Sequence, residues 1–359
     1  MPVRIAINGF GRIGRSSFKI AFDNPKAEIV AINDLTNPRV LAHLLKYDTA
    51  YGIFDKEIYM EEDGKIVQLS DYHGETDFYT TTAKETYLVV GGKKTLVTSI
   101  PDPTQLPWKD LNVDIVLECT GRYVEGDAAL DHLKAGAKKV VVSAPTKGGT
   151  IPTFVLGANQ DQYLGQNAFS NASCTTNCTS PVVSIIHSKF KVLKAMLTTV
   201  HALTSGQNLV DGPPNPRKPD LREGRAAGFN MVPTSTGAAK ATVETIPDLK
   251  GKFDGVSIRV PIITGSITDI VMLVEKKTTV EEINQTFIEA KENPIYKGVL
   301  DATWEPIVSS DIIKSHYSAI VDLAFTRVVD GDLVKVMAWY DNEWGYSNRL
   351  VEIAILACE

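Results

Sequence analysis

The sequence predicts two joined units, an α/β layer with a mainly parallel sheet and then an α+β layer with a largely antiparallel one. Three observations carry that expectation. The chain opens as strand, glycine turn, helix and strand. Apolar strand runs alternate with helical stretches as far as Ser143, and beyond Cys174 the strands lengthen and many alternate apolar with polar residues. At 359 residues there is room for two domains of ordinary size. A hydrophobic fraction of 43% and a charged fraction of 22% are those of a globular protein. The net charge of −6, with no basic cluster interleaved with aromatics, argues against a nucleic-acid partner.

Val3 to Ile7 reads as a buried strand, followed by Gly9-Phe-Gly-Arg-Ile-Gly14 and a helix to about Phe22. A second apolar run, Glu28 to Asn33, ends in Asp34. A carboxylate at that distance from the glycines falls where an adenosine ribose would be held, so the start is a Rossmann-type dinucleotide-binding pattern. Gly9, Phe10, Gly11, Arg12, Ile13 and Gly14 would form the turn on which pyrophosphate meets a helix N-terminus. Asp34 would repel a 2′-phosphate, and Leu35 offers no cation beside it, so the expected cofactor is NAD rather than NADP.

Residues 57–98 alternate β-type segments with turns at Asp63-Gly64, His73-Gly74 and Gly91-Gly92, which predicts hairpins inserted into the nucleotide-binding unit. Regular α/β signals resume with a strand from Val113 to Cys119, a helix from Asp127 to Ala135 and a strand from Lys139 to Ser143. Ligands of open parallel sheets lie past the carboxyl ends of the strands, which makes Thr120, Gly121 and Ser143 candidates to line the cofactor site.

Cys174 lies in Ser170-Asn-Ala-Ser-Cys-Thr-Thr-Asn-Cys178, just ahead of apolar residues at helical spacing. Ser173 reads as the helix cap. A helix N-terminus favours thiolate over thiol, so Cys174 is a candidate nucleophile whose sulfur is expected to be ionised at neutral pH. A strand from Ala195 ends in His201, which could return toward Cys174 as the base that thiol chemistry needs. Further strands are expected at Val256–Val260, Ile267–Val274, Ala319–Val328 and Leu333–Trp339, with helices at Thr236–Thr245 and Val280–Glu292. A Pro-rich loop, Asp211 to Asp220, precedes Ser235-Thr-Gly-Ala-Ala-Lys240, a second hydroxyl-lined helix start. With Arg259 as a fork-shaped anion partner, this suggests two phosphate subsites.

The four cysteines make no disulfide framework for a chain of this length, and no apolar run approaches the ~20 residues of a membrane span. Together with a start that carries no targeting signal, they predict a cytoplasmic protein without a membrane partner.

Asn8-Gly-Phe-Gly-Arg-Ile-Gly-Arg15, the Ser170 to Cys178 stretch, Ser235 to Lys240 and Trp339-Tyr-Asp-Asn-Glu-Trp-Gly-Tyr-Ser347 closely resemble the signatures of phosphorylating glyceraldehyde-3-phosphate dehydrogenases, in order along nearly the whole chain. The resemblance implies an NAD-binding domain over 1–173 and a catalytic domain over 174–338. A closing segment, 339–359, would pack back on the first. It implies Cys174 as nucleophile and His201 as base. Thr204 and Arg259 would hold the C3 phosphate of glyceraldehyde 3-phosphate. Ser173, Thr175, Thr236 and Gly237 would hold inorganic phosphate. Asn342 would orient the nicotinamide carboxamide, and Tyr346 would join the cofactor site. No metal is expected, and a homotetramer is.

By that resemblance the aldehyde forms a hemithioacetal on Cys174, is oxidised to a thioester and leaves as 1,3-bisphosphoglycerate. Two rivals are an erythrose-4-phosphate dehydrogenase, which hydrolyses its thioester, and an idle NAD-binding protein. Departures from the family pattern are Gly206, a longer Pro-rich loop, an insertion between Glu61 and Glu85, Pro101 for an arginine, and Glu223 between Arg222 and Arg225. They predict altered affinities rather than lost chemistry.

Overall fold

A computed structural model of the protein describes residues 1–71, 83–216 and 219–359. Two compact units emerge. The first comprises Met1–Pro152, Gly165–Ser170 and Leu350–Glu359, and the second Thr153–Leu164 and Asn171–Arg349.

The first unit contains β1 (Val3–Asn8), α1 (Arg12–Phe22), β2 (Ala27–Asn33), α2 (Pro38–Lys46), β3 (Ile58–Glu62), β4 (Lys65–Gln68), β5 (Thr86–Val90) and β6 (Lys93–Thr98). It continues with β7 (Ile115–Glu118), α3 (Asp131–Lys134), β8 (Lys139–Val142) and β9 (Ala168–Ser170). Its sheet runs β4-β3-β5-β6-β2-β1-β7-β8-β9. The six strands from β6 to β9 in that order are parallel, and β3, β4 and β5 extend the sheet antiparallel. The near-continuous apolar character of β1 and β7 follows from burial: Ile5, Ile7, Ile115 and Leu117 are all fully enclosed.

The inserted segments are therefore strands of this same sheet. Asp63-Gly64 and Gly91-Gly92 turn them with two successive positive φ angles each, the geometry of a tight hairpin that matches strand twist. The turn expected at His73-Gly74 lies outside the described residues. The helix expected from Asp127 to Ala135 is shorter than its periodicity suggests. It is a 3-10 turn, Ala128–Leu130, followed by the single turn of α3. Gly126 and Gly136, both left-handed, bracket it.

The second unit contains α4 (Cys174–Phe190), β10 (Val192–His201), β11 (Val232–Ser235), α5 (Ala238–Thr245), β12 (Phe253–Arg259) and β13 (Ser266–Val274). After them come α6 (Val280–Glu292), β14 (Leu300–Thr303), β15 (Ala319–Asp322), β16 (Arg327–Val329) and β17 (Leu333–Tyr340). Its sheet runs β11-β12-β10-β13-β17-β15-β14, with β16 on β17. All pairs are antiparallel except β10 with β12 and β14 with β15. Helix α4 buries Val182, Val183 and Ile186 against Leu197, Ile270, Val336 and Ala338 of this sheet. Each such side chain contributes about 1.5–3 kcal/mol when withdrawn from water.

The strand expected over 319–328 is broken by a 3-10 turn, Leu323–Phe325, where Asn284 of α6 donates to the Leu323 carbonyl at 3.0 Å. Residues 339–349, expected in the closing segment, belong to the second unit, because β17 takes in Trp339 and Tyr340. The last helix, α7 (Trp344–Cys358), begins there and ends in the first unit, where Glu359 pairs with Lys26 at 2.6 Å.

Candidate active site

Sheet direction gathers the chemistry of the second unit. Strand β13 runs antiparallel to both β10 and β17, and β12 runs parallel to β10, so β10, β12 and β17 all point the same way. Their last residues are His201, Arg259 and Tyr340, and these share one end of the sheet. Helix α4 starts at that end with Cys174.

The start of α4 is set by local chemistry. Ala172 takes a left-handed φ of 54°, a strained choice for alanine, and Tyr346 holds it by donating its hydroxyl to the Ala172 carbonyl at 2.9 Å. Ser173 caps the helix, its Oγ accepting from Thr176 N at 3.2 Å. Cys174, in the first turn and partly exposed, places Sγ 3.4 Å from Nε2 of His201. The other imidazole nitrogen, Nδ1, lies 2.7 Å from the Ala202 carbonyl. A carbonyl only accepts, so Nδ1 carries the hydrogen and the neutral ring turns a free lone pair on Nε2 toward the sulfur.

Burial pushes the Cys174 thiol up from its ordinary value, against the pull of the Arg259 charge and hydrogen bonds from Thr175. Burial, with the Arg259 charge, drives the His201 imidazolium down to about 3. The direction of the thiol shift runs against the sequence expectation of a sulfur ionised by the helix terminus, because burial outweighs the local charges. Burial disfavours the charged form of each group taken alone. The geometry sets Nε2 of His201 within reach of the thiol hydrogen, and a transfer between the two would leave the pair neutral overall.

Tyr340, which sequence reasoning passed over, braces this pair. Its ring meets that of His201 edge to face at 6.0 Å, and its buried hydroxyl bonds Thr175 Oγ1 at 2.9 Å and Thr199 Oγ1 at 2.8 Å. The Thr175 hydroxyl, expected to face phosphate, is thereby committed inward. Arg259 sends Nη1 to the Ala202 carbonyl at 3.4 Å, while its Nε is buried with no hydrogen-bond partner among the described residues. Thr204 N donates to Gln207 Oε1 at 3.1 Å, and Gly206 leaves open space beside the Thr204 hydroxyl. Thr236 Oγ1 accepts from Ala238 N at 3.1 Å, and the exposed Gly237 opens α5 without a side-chain cap. Asn342 Oδ1 accepts from Ser266 Oγ at 2.9 Å and Gly265 N at 3.1 Å.

In the first unit a cleft of about 280 Å³ lies past the ends of β1, β2 and β7, lined by Gly9, Gly11, Asp34, Thr120 and Arg122 among others. Gly9, at φ 91°, approaches so closely that a Cβ would sit 2.7 Å from Thr120 N. Gly14 packs its Cα against the Gly9 carbonyl. Gly11 is different: nothing lies within 4 Å of a Cβ there, and no side chain caps the start of α1. Asp34 stands at the strand end, Oδ2 accepting from Phe10 N at 2.7 Å and Oδ1 from Thr36 N at 2.8 Å. Arg12 pairs with Asp48 at 2.8 Å. Gly121, at φ 64°, turns the chain after β7. Ser143 sits against the sulfur of Cys119. An uncapped helix start, an open glycine and a carboxylate at the second strand end fit the pyrophosphate and ribose of a dinucleotide.

A dinucleotide-binding sheet joined to a cysteine-bearing α+β unit defines an NAD-dependent oxidoreductase. The profile "Glyceraldehyde 3-phosphate dehydrogenase, NAD binding domain" matches residues 3–74 and 65–126, and "Glyceraldehyde 3-phosphate dehydrogenase, C-terminal domain" matches 173–342. The chain is 44% identical over 356 residues to the glyceraldehyde-3-phosphate dehydrogenase of Geobacillus stearothermophilus, covering 99% of this chain and 98% of that one. It is 46% identical over 363 residues to that of Mycolicibacterium smegmatis, again covering 99% and 98%. The chain belongs to the glyceraldehyde-3-phosphate dehydrogenase family, and its cofactor is NAD.

Proposed function

We propose that this enzyme oxidises D-glyceraldehyde 3-phosphate with NAD and inorganic phosphate to 1,3-bisphosphoglycerate, through a thioester on Cys174. The observation that carries the reading is the 3.4 Å approach of Cys174 Sγ to a His201 Nε2 whose lone pair is free. The thiol proton passes to Nε2, Sγ bonds the aldehyde carbon, and the proton goes on to the former carbonyl oxygen, giving a hemithioacetal. NAD, when bound, supplies the two-electron acceptor. In the oxidation His201 Nε2 takes the hydroxyl proton back, leaving the acyl group on sulfur as a thioester. A phosphate oxygen then attacks the acyl carbon and the C–S bond breaks. The leaving sulfur recovers its proton from Nε2.

Gly9 to Gly14 and Asp34 would hold NAD. Arg259 and Thr204 would take the C3 phosphate, and Ser173, Thr236 and Gly237 the inorganic phosphate. The commitment of the Thr175 hydroxyl to Tyr340 leaves its backbone N–H, in the first turn of α4, as the group it offers an anion. Initial rates with glyceraldehyde 3-phosphate and NAD, with and without phosphate, test the reaction. NADH production that requires phosphate is expected; equal rates without it would indicate hydrolysis.

The enzyme is further read as a cytoplasmic homotetramer. Four free cysteines suit a reducing compartment, and no helix among the described residues is long and apolar enough to cross a membrane. Leu209, Leu221, Phe229 and Met231, on and beside the Pro-rich loop, are largely exposed, as are Met196 and Val256 on the second sheet, an apolar surface suited to like copies. Light scattering on the eluted protein measures the assembly, and a monomeric mass would refute it.

A further inference from the structure

Behind the cleft of the first unit lies a buried polar chain that nothing in the reaction above uses. Glu118, the last residue of β7, is 1% exposed, and His132 of α3 and Trp108 are both 0%. The Trp108 indole N–H can only donate, and it lies 3.0 Å from His132 Nδ1. His132 therefore carries its hydrogen on Nε2, which donates to Glu118 Oε2 at 2.9 Å. Asn8 Nδ2 donates to the same oxygen at 2.6 Å. The other oxygen, Oε1, accepts from Thr120 N at 2.8 Å and from the Thr120 hydroxyl. Onward from Asn8, its Oδ1 accepts from Asn33 Nδ2 at 2.8 Å, and Asn33 Oδ1 accepts from Thr98 Oγ1 and Ile100 N, each at 2.9 Å.

The chain thus crosses the carboxyl ends of four adjacent parallel strands, β7, β1, β2 and β6. Asn8, Asn33, Ile100 and Thr120 line the cleft, whereas Glu118, His132 and Trp108 stand behind it. A buried carboxylate is costly unless every acceptor position is filled, and here both oxygens are. Thr120 spends its N–H and its hydroxyl on Glu118 rather than offering them to a ligand. Its hydroxyl also accepts from Arg122 N at 3.0 Å, which sets the turn that closes the cleft.

We propose that Glu118, backed by His132 and Trp108, is the positioning residue of the NAD site: it holds Thr120 and the ends of β1, β2 and β7 in the register that lets Gly9 and Asp34 receive the dinucleotide. The proposal rests on reading this cleft as the NAD site. Its weight falls on NAD binding, not on the chemistry at Cys174.

The test uses the full-length enzyme. Calorimetry measures NAD binding, initial rates give KM for each substrate and kcat, and thermal melting without NAD follows the fold. Glu118→Gln keeps the shape but turns an amide N–H₂ on donors, and is expected to weaken NAD binding and raise its KM about tenfold, with kcat and the KM for the aldehyde nearly unchanged. His132→Leu, which breaks the chain, is expected to do the same. His132→Gln can accept from Trp108 and donate to Glu118, and is expected to restore most of the affinity.

Wild-type affinity in Glu118→Gln or in His132→Leu overturns the proposal, as does a His132→Gln no better than His132→Leu, the result of a purely structural role. Should Glu118→Gln not fold, the His132 pair and Trp108→Phe decide by the same criterion. Asp34→Ala separates the two readings. If it weakens NAD binding and the relay variants do not, only the relay fails; if it has no effect, the cleft is not the NAD site.

Discussion

His201 gives its Nδ1 hydrogen to the Ala202 carbonyl at 2.7 Å and turns the bare Nε2 to Cys174 Sγ at 3.4 Å. The sulfur and the imidazole lone pair thus face each other before any substrate arrives. Burial raises the thiol and lowers the imidazole, so neither ionises readily alone. His201→Asn keeps a polar side chain but no proton acceptor of comparable strength. It is expected to cut kcat by about 10²–10⁴-fold and to move the pH dependence of iodoacetamide alkylation of Cys174 upward. Alkylation rates from neutral to alkaline pH check this, and unchanged rates would show that His201 is not the thiol's base.

Arg259 acts on that pair from the end of β12, its charge drawing the thiol down and the imidazole down with it. Arg259→Gln is expected to push the thiol higher and to relieve the depression of His201. If Arg259 also receives the C3 phosphate, KM for glyceraldehyde 3-phosphate should rise about 10–100-fold, while the phosphate-free aldehyde loses much less. Comparing kcat/KM for the two aldehydes separates the roles, because a general electrostatic effect would lower both alike.

The parts of the molecule written in short stretches could be read without coordinates. Strand β1, the Gly9 to Gly14 turn, α1 and β2 follow one another within 31 residues, from Val3 to Asn33, and each reports itself by period or by glycine. Ser173 announces the start of α4 in the same local way. What stayed hidden depends on residues brought together from far apart. Tyr340 meets Thr175 across 165 positions, and Asn8 meets Glu118 across 110. One signal was available: a glutamate closing an otherwise apolar strand, Ile115-Val-Leu-Glu118, asks for buried partners. The direction of the Cys174 shift was equally hidden, since a helix terminus is local but desolvation comes from the tertiary packing around it.

Tyr340→Phe keeps the ring against His201 and removes the hydroxyl that Thr175 and Thr199 share. Both threonines are buried, so the change is expected to cost about 1–3 kcal/mol, read as a lower melting temperature, with NAD affinity unchanged. Thermal melting and NAD calorimetry on the same preparation check both halves. An unaltered melting temperature would mean that the hydroxyl does not brace the site.

Asp48 carries a pH dependence of its own. Burial alone would raise its carboxyl, but the charge and hydrogen bond of Arg12 at 2.8 Å, the Tyr51 N–H and the charge of Lys19 outweigh it and hold the group below its ordinary value. A carboxyl with a depressed folded value gives stability that is complete above the unfolded value of about 4 and is lost as pH falls through the folded one. Asp48→Asn removes that contribution. It is expected to cost about 2 kcal/mol near neutrality, with the gap to the parent enzyme closing only below about pH 4. His201 acts in a different window: its folded value lies near 3, below its unfolded 6.5, so its penalty accrues as pH falls from 6.5 toward 3. Urea midpoints for the parent, Asp48→Asn and His201→Asn across pH 3–7 separate the two, because only the His201 variant should flatten the decline between pH 6 and 5. A gap between parent and Asp48→Asn that stays constant down to pH 3 would show that the carboxylate's charge contributes nothing.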